Sequence, residues 1–436
     1  SKSLIWSLYI KHAALALKTI SLKKKYIHKK KMALDNSVAK KWKELSGQNQ
    51  WKGLLDPLNI DLRRYIIHYG EMAQATYDGF NTVRASKYCG SCLFKKSEFF
   101  DKVELNHGKL YTVTKYLYAT SSIPLIPDIF MVKSLSREAW SKESNWIGYV
   151  AVATDAGKKV LGRREIVIAW RGTIQSLEWV NDLQFVLLPA PQVFKSTSLV
   201  TGLVTDPKVH QGWYNIYTSA SARSQFNQTS VREQVTSEVQ RLVQLYKNEE
   251  ISITVTGHSL GGAVATLNAV DIVANGFNKG APVSAFVFAS PGVGDINFKR
   301  VVSGYKDLRI FRVENTLDIV PKYPPLGYFN VGEGLIINTQ KSQYLKKPGD
   351  VVSWHILEPY LHGVAGTQGG GLLIGGGGFK LEVDRDIALV NKQWDVLADE
   401  YLVPPLWWTL KHKGVVKQPD GKWKLDENKD DRDEYF

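Results

Sequence analysis

Cysteine is nearly absent from this chain of 436 residues: two occur, Cys89 and Cys92, in one Cys-Gly-Ser-Cys run. So few argue against a secreted scaffold stapled by disulfides. A CxxC can also be a redox pair or half of a zinc site, but no second CxxC or histidine pair completes such a site. No thioredoxin-like βαβ pattern surrounds it either. The pair reads as two plain thiols. Long apolar runs are missing too: no stretch of about 18 uncharged apolar residues exists, so nothing in the sequence is marked as a membrane-spanning helix. There is no GxGxxG behind a strand and no GK[ST], which removes a phosphate-cradling loop. No internal repeat is visible.

Methionine is scarce, and the first is Met32. Residues 1–31 hold nine lysines and no acidic residue, so of the formal charge of +14 only +5 belongs to the rest of the chain. With the lysines set aside the protein is mildly basic, and no nucleic-acid module accompanies the charge, so nucleic acid is excluded as a partner. Lys11 and Lys18 interrupt any signal-peptide core, and lysine without arginine makes a poor organelle transit peptide. The expectation is that residues 1–31 are an upstream leader outside the functional protein. Residues 32–415 are then a single domain, and residues 416–436 are a charged, solvated tail.

What the chain has is apolar material for a large core, with 44% hydrophobic and 22% charged residues. A helical lead-in follows Met32: NSVAKKWKELSG, then LDPLNIDLRRYIIHYGEMAQATYDGFN, where Ile60, Leu62, Tyr65, Ile66 and Tyr69 recur at helical spacing. Polar, irregular sequence is expected from there to about residue 145. NWIGYVAVAT, REIVIAW, ISITVT, SAFVFAS and LRIFRV then read as short strands, continuous enough in apolar residues to be buried on both faces. AVATLNAVDIVANGF lies between two of them and reads as a helix closing on Gly276. Strand, helix, strand, repeated, predicts an α/β architecture on a mostly parallel sheet. The glycine-rich run from Gly363 to Gly378 reads as a loop.

Chemistry enters at Gly257-His258-Ser259-Leu260-Gly261, a G-x-S-x-G between the end of ISITVT and a helical pattern. A serine on a sharp strand-to-helix turn needs small neighbours, and it is lifted above the sheet at a helix N-terminus, where developing negative charge is favoured. Its hydroxyl needs a base, and the base an orienting carboxylate, in the chain order Ser, Asp or Glu, His. Asp318 follows the second strand after Ser259 and is the candidate acid, whereas Asp295 sits in a glycine-rich turn and reads as structural. For the base, His355 and His362 both qualify, and His412 lies apart near the tail. His355 is where the β-like run VVSWHI gives way to LEPYLHG, the expected place for the base, but spacing alone does not exclude His362. Donors for an oxyanion are expected from the Leu260 amide and from Thr173, which follows the strand EIVIAW through Arg171-Gly172.

KKWKELSG, AWRGTIQSLEWVNDLQF, VHQGWYNIY, VTGHSLGGAVATLNA, NTLDIVPKYPP and HILEPYLHGVAGTQG together resemble the class 3 lipase superfamily, and within it the plant class II phospholipase A1 enzymes, from about Asn36 to about residue 415. The resemblance implies an α/β-hydrolase with a mostly parallel central sheet flanked by helices and with triad Ser259, Asp318 and a downstream histidine; HILEPYLHG favours His355. It implies a helical lid at about residues 174–187 carrying Trp179, over a site that cleaves the sn-1 acyl ester of phosphatidylcholine-like lipids. No metal or organic cofactor and no obligate protein partner is implied, and the setting is cytoplasmic with peripheral contact at membranes. Read alone, QSLEWVNDLQF is an amphipathic surface helix. The rival readings are a neutral-glyceride lipase or general carboxylester hydrolase and, more remotely, a non-catalytic lipase-like scaffold.

Overall fold

A computed structural model describes residues 36–120, 132–136, 144–173, 185–194, 206–366, 379–408 and 414–425. The strands of the main sheet are β1 (Tyr111–Thr120), β2 (Ser144–Ala153), β3 (Arg164–Trp170), β6 (Ile251–His258), β7 (Val283–Phe288), β8 (Leu308–Asn315) and β9 (Glu333–Ile337). Two small pairs stand outside it, β4 (Leu187–Pro189) with β5 (Lys208–His210) and β10 (Val415–Lys417) with β11 (Trp423–Leu425). The helices that bear on the site are α1 (Asn36–Leu45), α2 (Ile60–Asp78), α3 (Val231–Leu245), α4 (Leu260–Ala274), α5 (Ile296–Ser303), α6 (Val351–His355) and α7 (Leu357–Gly366).

The sheet runs β1-β2-β3-β6-β7-β8-β9. Its first three strands are antiparallel, and β3 through β9 are parallel. Side chains alternate across a strand, so each parallel strand serves two cores. Ile166, Ile168, Ile253, Val255, Val283, Ala285 and Val287 pack with α3 and α4 on one face. Val167, Ala169, Phe286, Phe288, Phe311 and Val313 pack with α2 and α7 on the other. This is the α/β-hydrolase arrangement, and it gathers the loops after β3, β6, β7 and β8 at one end of the sheet.

Several expectations are corrected. The stretch expected to be irregular up to about residue 145 contains β1, an edge strand whose register with β2 slips at Val113/Lys115 and at Leu117/Tyr118. Of the run VVSWHI, Val351 to His355 are helical in α6, and only Ile356 is extended. There the Asp350 carboxylate accepts from the Ser353 amide at 2.7 Å and the Ser353 hydroxyl accepts from the Asp350 amide at 2.7 Å. That reciprocal cap fixes a helical turn in spite of two β-branched residues. Gly363 through Gly366 continue α7 instead of opening a loop; residues 367–378 lie outside the described residues. The tail expected from residue 416 is folded at its start: Trp423 on β11 is buried, with its ring 4.6 Å from that of Trp407. Residues 1–35 and 426–436 lie outside the described residues. Cys92 is half-buried, and burial pushes its thiol up to about 11, as suits a plain thiol.

Candidate active site

Ser259 sits between β6 and α4 with φ 58° and ψ −129°, a conformation an L-residue holds only when its surroundings enforce it. The enforcement is steric. A Cβ at Gly257 would run into the carbonyl of Gly261, and one at Gly261 into the carbonyl of Trp170 on β3. The Ser259 amide donates to the Phe288 carbonyl at 2.9 Å, tying the turn to the end of β7. Leu260, the first residue of α4, has an amide that the helix leaves unpaired by construction.

The structure brings three of the predicted side chains together. His355 Nδ1 is 2.8 Å from Asp318 Oδ2, and His355 Nε2 is 2.8 Å from Ser259 Oγ. A carboxylate only accepts, so Nδ1 carries the proton and Nε2 is left with the lone pair that accepts from the serine hydroxyl. All three residues are buried. Asp318 lies three residues beyond β8. Its Oδ1 accepts from the Val320 amide at 2.9 Å and its Oδ2 from the Tyr360 hydroxyl at 2.6 Å. Burial, and next the Asp318 charge, push the Tyr360 hydroxyl well above its ordinary pKa, so it stays a donor. Tyr360 Oη in turn accepts from the Asn315 amide at 3.0 Å.

Other predicted residues lie as follows. His362 is away from the serine: its Nε2 is 2.8 Å from Ser342 Oγ, and its ring stacks on Phe379 at 4.9 Å. Burial lowers it to about 3. Asp295 caps α5 through the Phe298 amide at 2.8 Å, a structural task as read. Thr173 follows β3 through Arg171 and Gly172, and a Cβ added at Gly172 would stand 3.2 Å from the Ser259 Cβ. Trp179 and the lid segment 174–184, like His412, lie outside the described residues; of the expected helical lid, Phe185 and Val186 are described and exposed, and Leu187 opens strand β4 instead. Sequence reasoning missed Tyr360, Asn315, Tyr77 and the side chain of His258. Only His258 carried a signal, as the x of G-x-S-x-G.

Residues 167–328 match the family model of the class 3 lipases. Over 395 residues, 91% of this chain and 98% of the relative, the chain is 53% identical to phospholipase A1-II 1 of Oryza sativa subsp. indica. The chain belongs to the phospholipase A1-II family. It is 50% identical to phospholipase A1-IIgamma of Arabidopsis thaliana over 413 residues, covering 92% of this chain and 96% of that one. Among solved structures, the nonglycosylated LIP2 lipase of Yarrowia lipolytica is similar over 65% of this chain and 82% of its own, with 20% identity and a TM-score of 0.43. As a phospholipase A1-II family member the chain is a serine ester hydrolase acting on lipid, and Ser259 stands at the elbow where that chemistry is expected.

Proposed function

We propose that the chain is a phospholipase A1, removing the sn-1 acyl group of phosphatidylcholine-like glycerolipids through an acyl-enzyme on Ser259. The carrying observation is the unbroken hydrogen-bonded line Ser259–His355–Asp318, with both links at 2.8 Å. The names of its relatives at about half identity support the substrate class. Ser259 Oγ attacks the ester carbonyl as its proton passes to His355 Nε2, and Asp318 holds the imidazolium that forms. The Leu260 amide and Thr173 receive the oxyanion. The intermediate collapses with His355 protonating the departing lysolipid oxygen; water then attacks the acyl-serine by the same groups and releases the fatty acid. We place the enzyme in the cytoplasm, meeting bilayers at their surface without an obligate protein partner. A mildly basic body and the exposed Phe185 and Val186 support the surface contact.

Phosphatidylcholine carrying different labelled acyl chains at its two positions tests this reading. The fatty acid released first should come from sn-1. Release from sn-2 overturns the A1 assignment, and faster turnover of mono- or triacylglycerol than of phosphatidylcholine favours the neutral-glyceride reading.

Thr173→Val tests the oxyanion assignment, since valine keeps the amide and removes only the hydroxyl. The expected fall in kcat is about 10²-fold or less, on both soluble and aggregated ester. An unchanged rate on both removes the Thr173 side chain from the reaction.

A further inference from the structure

One side-chain pair touches the His355 backbone from behind the triad. His258 is the last residue of β6 and is buried, with its ring 4.8 Å from that of His355. Its Nε2 lies 2.7 Å from the backbone carbonyl of His355, and its Nδ1 lies 2.8 Å from the hydroxyl of Tyr77 on α2. A carbonyl accepts only, so His258 carries its proton on Nε2 and its Nδ1 accepts from Tyr77. Burial, and next the neighbouring His355, hold the ring well below the ordinary histidine pKa, which keeps it neutral.

The His355 carbonyl has reason to be held. It stands at the C-terminal end of α6, a helix of five residues, after which Ile356 leaves helical geometry at φ −62° and ψ 140°. A helix this short gains little from cooperativity, and its last carbonyls have no partner within the helix. Two side chains supply partners. Asn315 Nδ2 donates to the Trp354 carbonyl at 2.9 Å, and His258 donates to the His355 carbonyl. The catalytic ring is thus fixed through its own backbone by the residue directly before the nucleophile.

Tyr77 extends the line to the opposite side of the site. Its side chain is half-buried and its hydroxyl packs against the backbone of Gly172; burial raises its pKa, and the neighbouring Arg171 charge offsets part of that rise. A Cβ at Gly172 would run into that hydroxyl, and would lie 2.5 Å from the His258 carbonyl. The same oxygen therefore meets the loop that presents Thr173 and the imidazole that grips the base.

We propose that Tyr77 and His258 are a positioning pair: they hold the His355 backbone and the Arg171-Gly172-Thr173 loop in register on either side of Ser259, so that base and oxyanion donors meet one acyl carbon. The inference rests on Ser259 and His355 being nucleophile and base.

The test measures kcat and KM on a short, soluble p-nitrophenyl ester, with the melting temperature of each variant. Tyr77→Phe removes the shared hydroxyl and should lower kcat about 10-fold; His258→Leu removes both bonds and should lower it about 10²-fold, the scale of a small misplacement of reacting groups. KM should stay near wild type in both. His258→Gln, whose amide can donate to the carbonyl and whose oxygen can accept from Tyr77, should recover most of the loss. The double variant Tyr77→Phe/His258→Leu should be no slower than His258→Leu, because the two act in one line. Nitrogen-15 spectra of histidine-labelled protein should show His258 neutral with its proton on Nε2. Wild-type kcat in Tyr77→Phe, a loss carried by KM, or His258→Gln as slow as His258→Leu would overturn the proposal, as would a proton on Nδ1. Ser259→Ala, run alongside, separates the two failures: if it stays active the triad reading falls, and if it is dead while Tyr77→Phe is normal only the positioning pair falls.

Discussion

Replacing Ser259 by alanine should abolish ester hydrolysis, with kcat falling by on the order of 10⁶, the scale seen when a triad loses its nucleophile. That corresponds to about 8 kcal/mol of lost transition-state stabilisation. The fold should survive. The strained backbone at φ 58° is as accessible to alanine as to serine, and the bond from the residue 259 amide to the Phe288 carbonyl is untouched. What goes is one buried hydrogen bond to His355 Nε2, a change of about 1 kcal/mol in stability. Circular dichroism and melting should therefore look native while turnover disappears, and an active-site-directed phosphonate should label the wild type and not the variant. Residual turnover above about a thousandth of wild type exceeds what such a site retains and would put the nucleophile elsewhere.

The elbow was legible because its requirements are local. Gly257 and Gly261 are where a side chain would strike a carbonyl, and the apolar strand before them and helix after them are written in consecutive residues. Asp318 was legible for a similar reason, since its distance past a recognisable strand gives its place. The parallel strands announced themselves because burial on both faces leaves nearly unbroken apolar text. β1 did not: it is an edge strand with a mixed burial pattern, and two register slips break its period of two. α6 was misread because Val351 and Val352 speak for a strand, while the Asp350–Ser353 cap that overrules them is worth more than the propensity of two residues. The Tyr360–Asp318 and Tyr77–His258 bonds join residues 42 and 181 positions apart. No periodicity encodes such a pairing; it exists only once α2, α7 and the sheet are packed.

Two histidines seven residues apart were equal by spacing, and variants at each should behave oppositely. His355→Ala is expected to be as inactive as Ser259→Ala, and the Ser259→Ala/His355→Ala double variant no worse than either, because members of a triad fail as one unit. The ground is geometric: His355 alone of the two reaches both Ser259 Oγ and Asp318 Oδ2. Its place at the end of a capped turn, on the loop side of the sheet, is what lets the ring lean back over the elbow. His362 sits one helix further on, in α7, with Nε2 against Ser342 and its ring against Phe379. Held at about 3 by burial, it is neutral at any pH where the enzyme would work and has too little affinity for a proton to act as a base. His362→Ala should therefore keep most of its turnover. Its cost should appear in stability instead, since truncating a buried, stacked ring leaves a cavity and strands the Ser342 hydroxyl, for a loss of about 2–4 kcal/mol. Both rings are buried, so both variants should melt below wild type, and turnover is what separates them: His355→Ala loses it and His362→Ala keeps most of it. An inactive His362→Ala that melts like wild type, beside an active His355→Ala, would reverse the assignment.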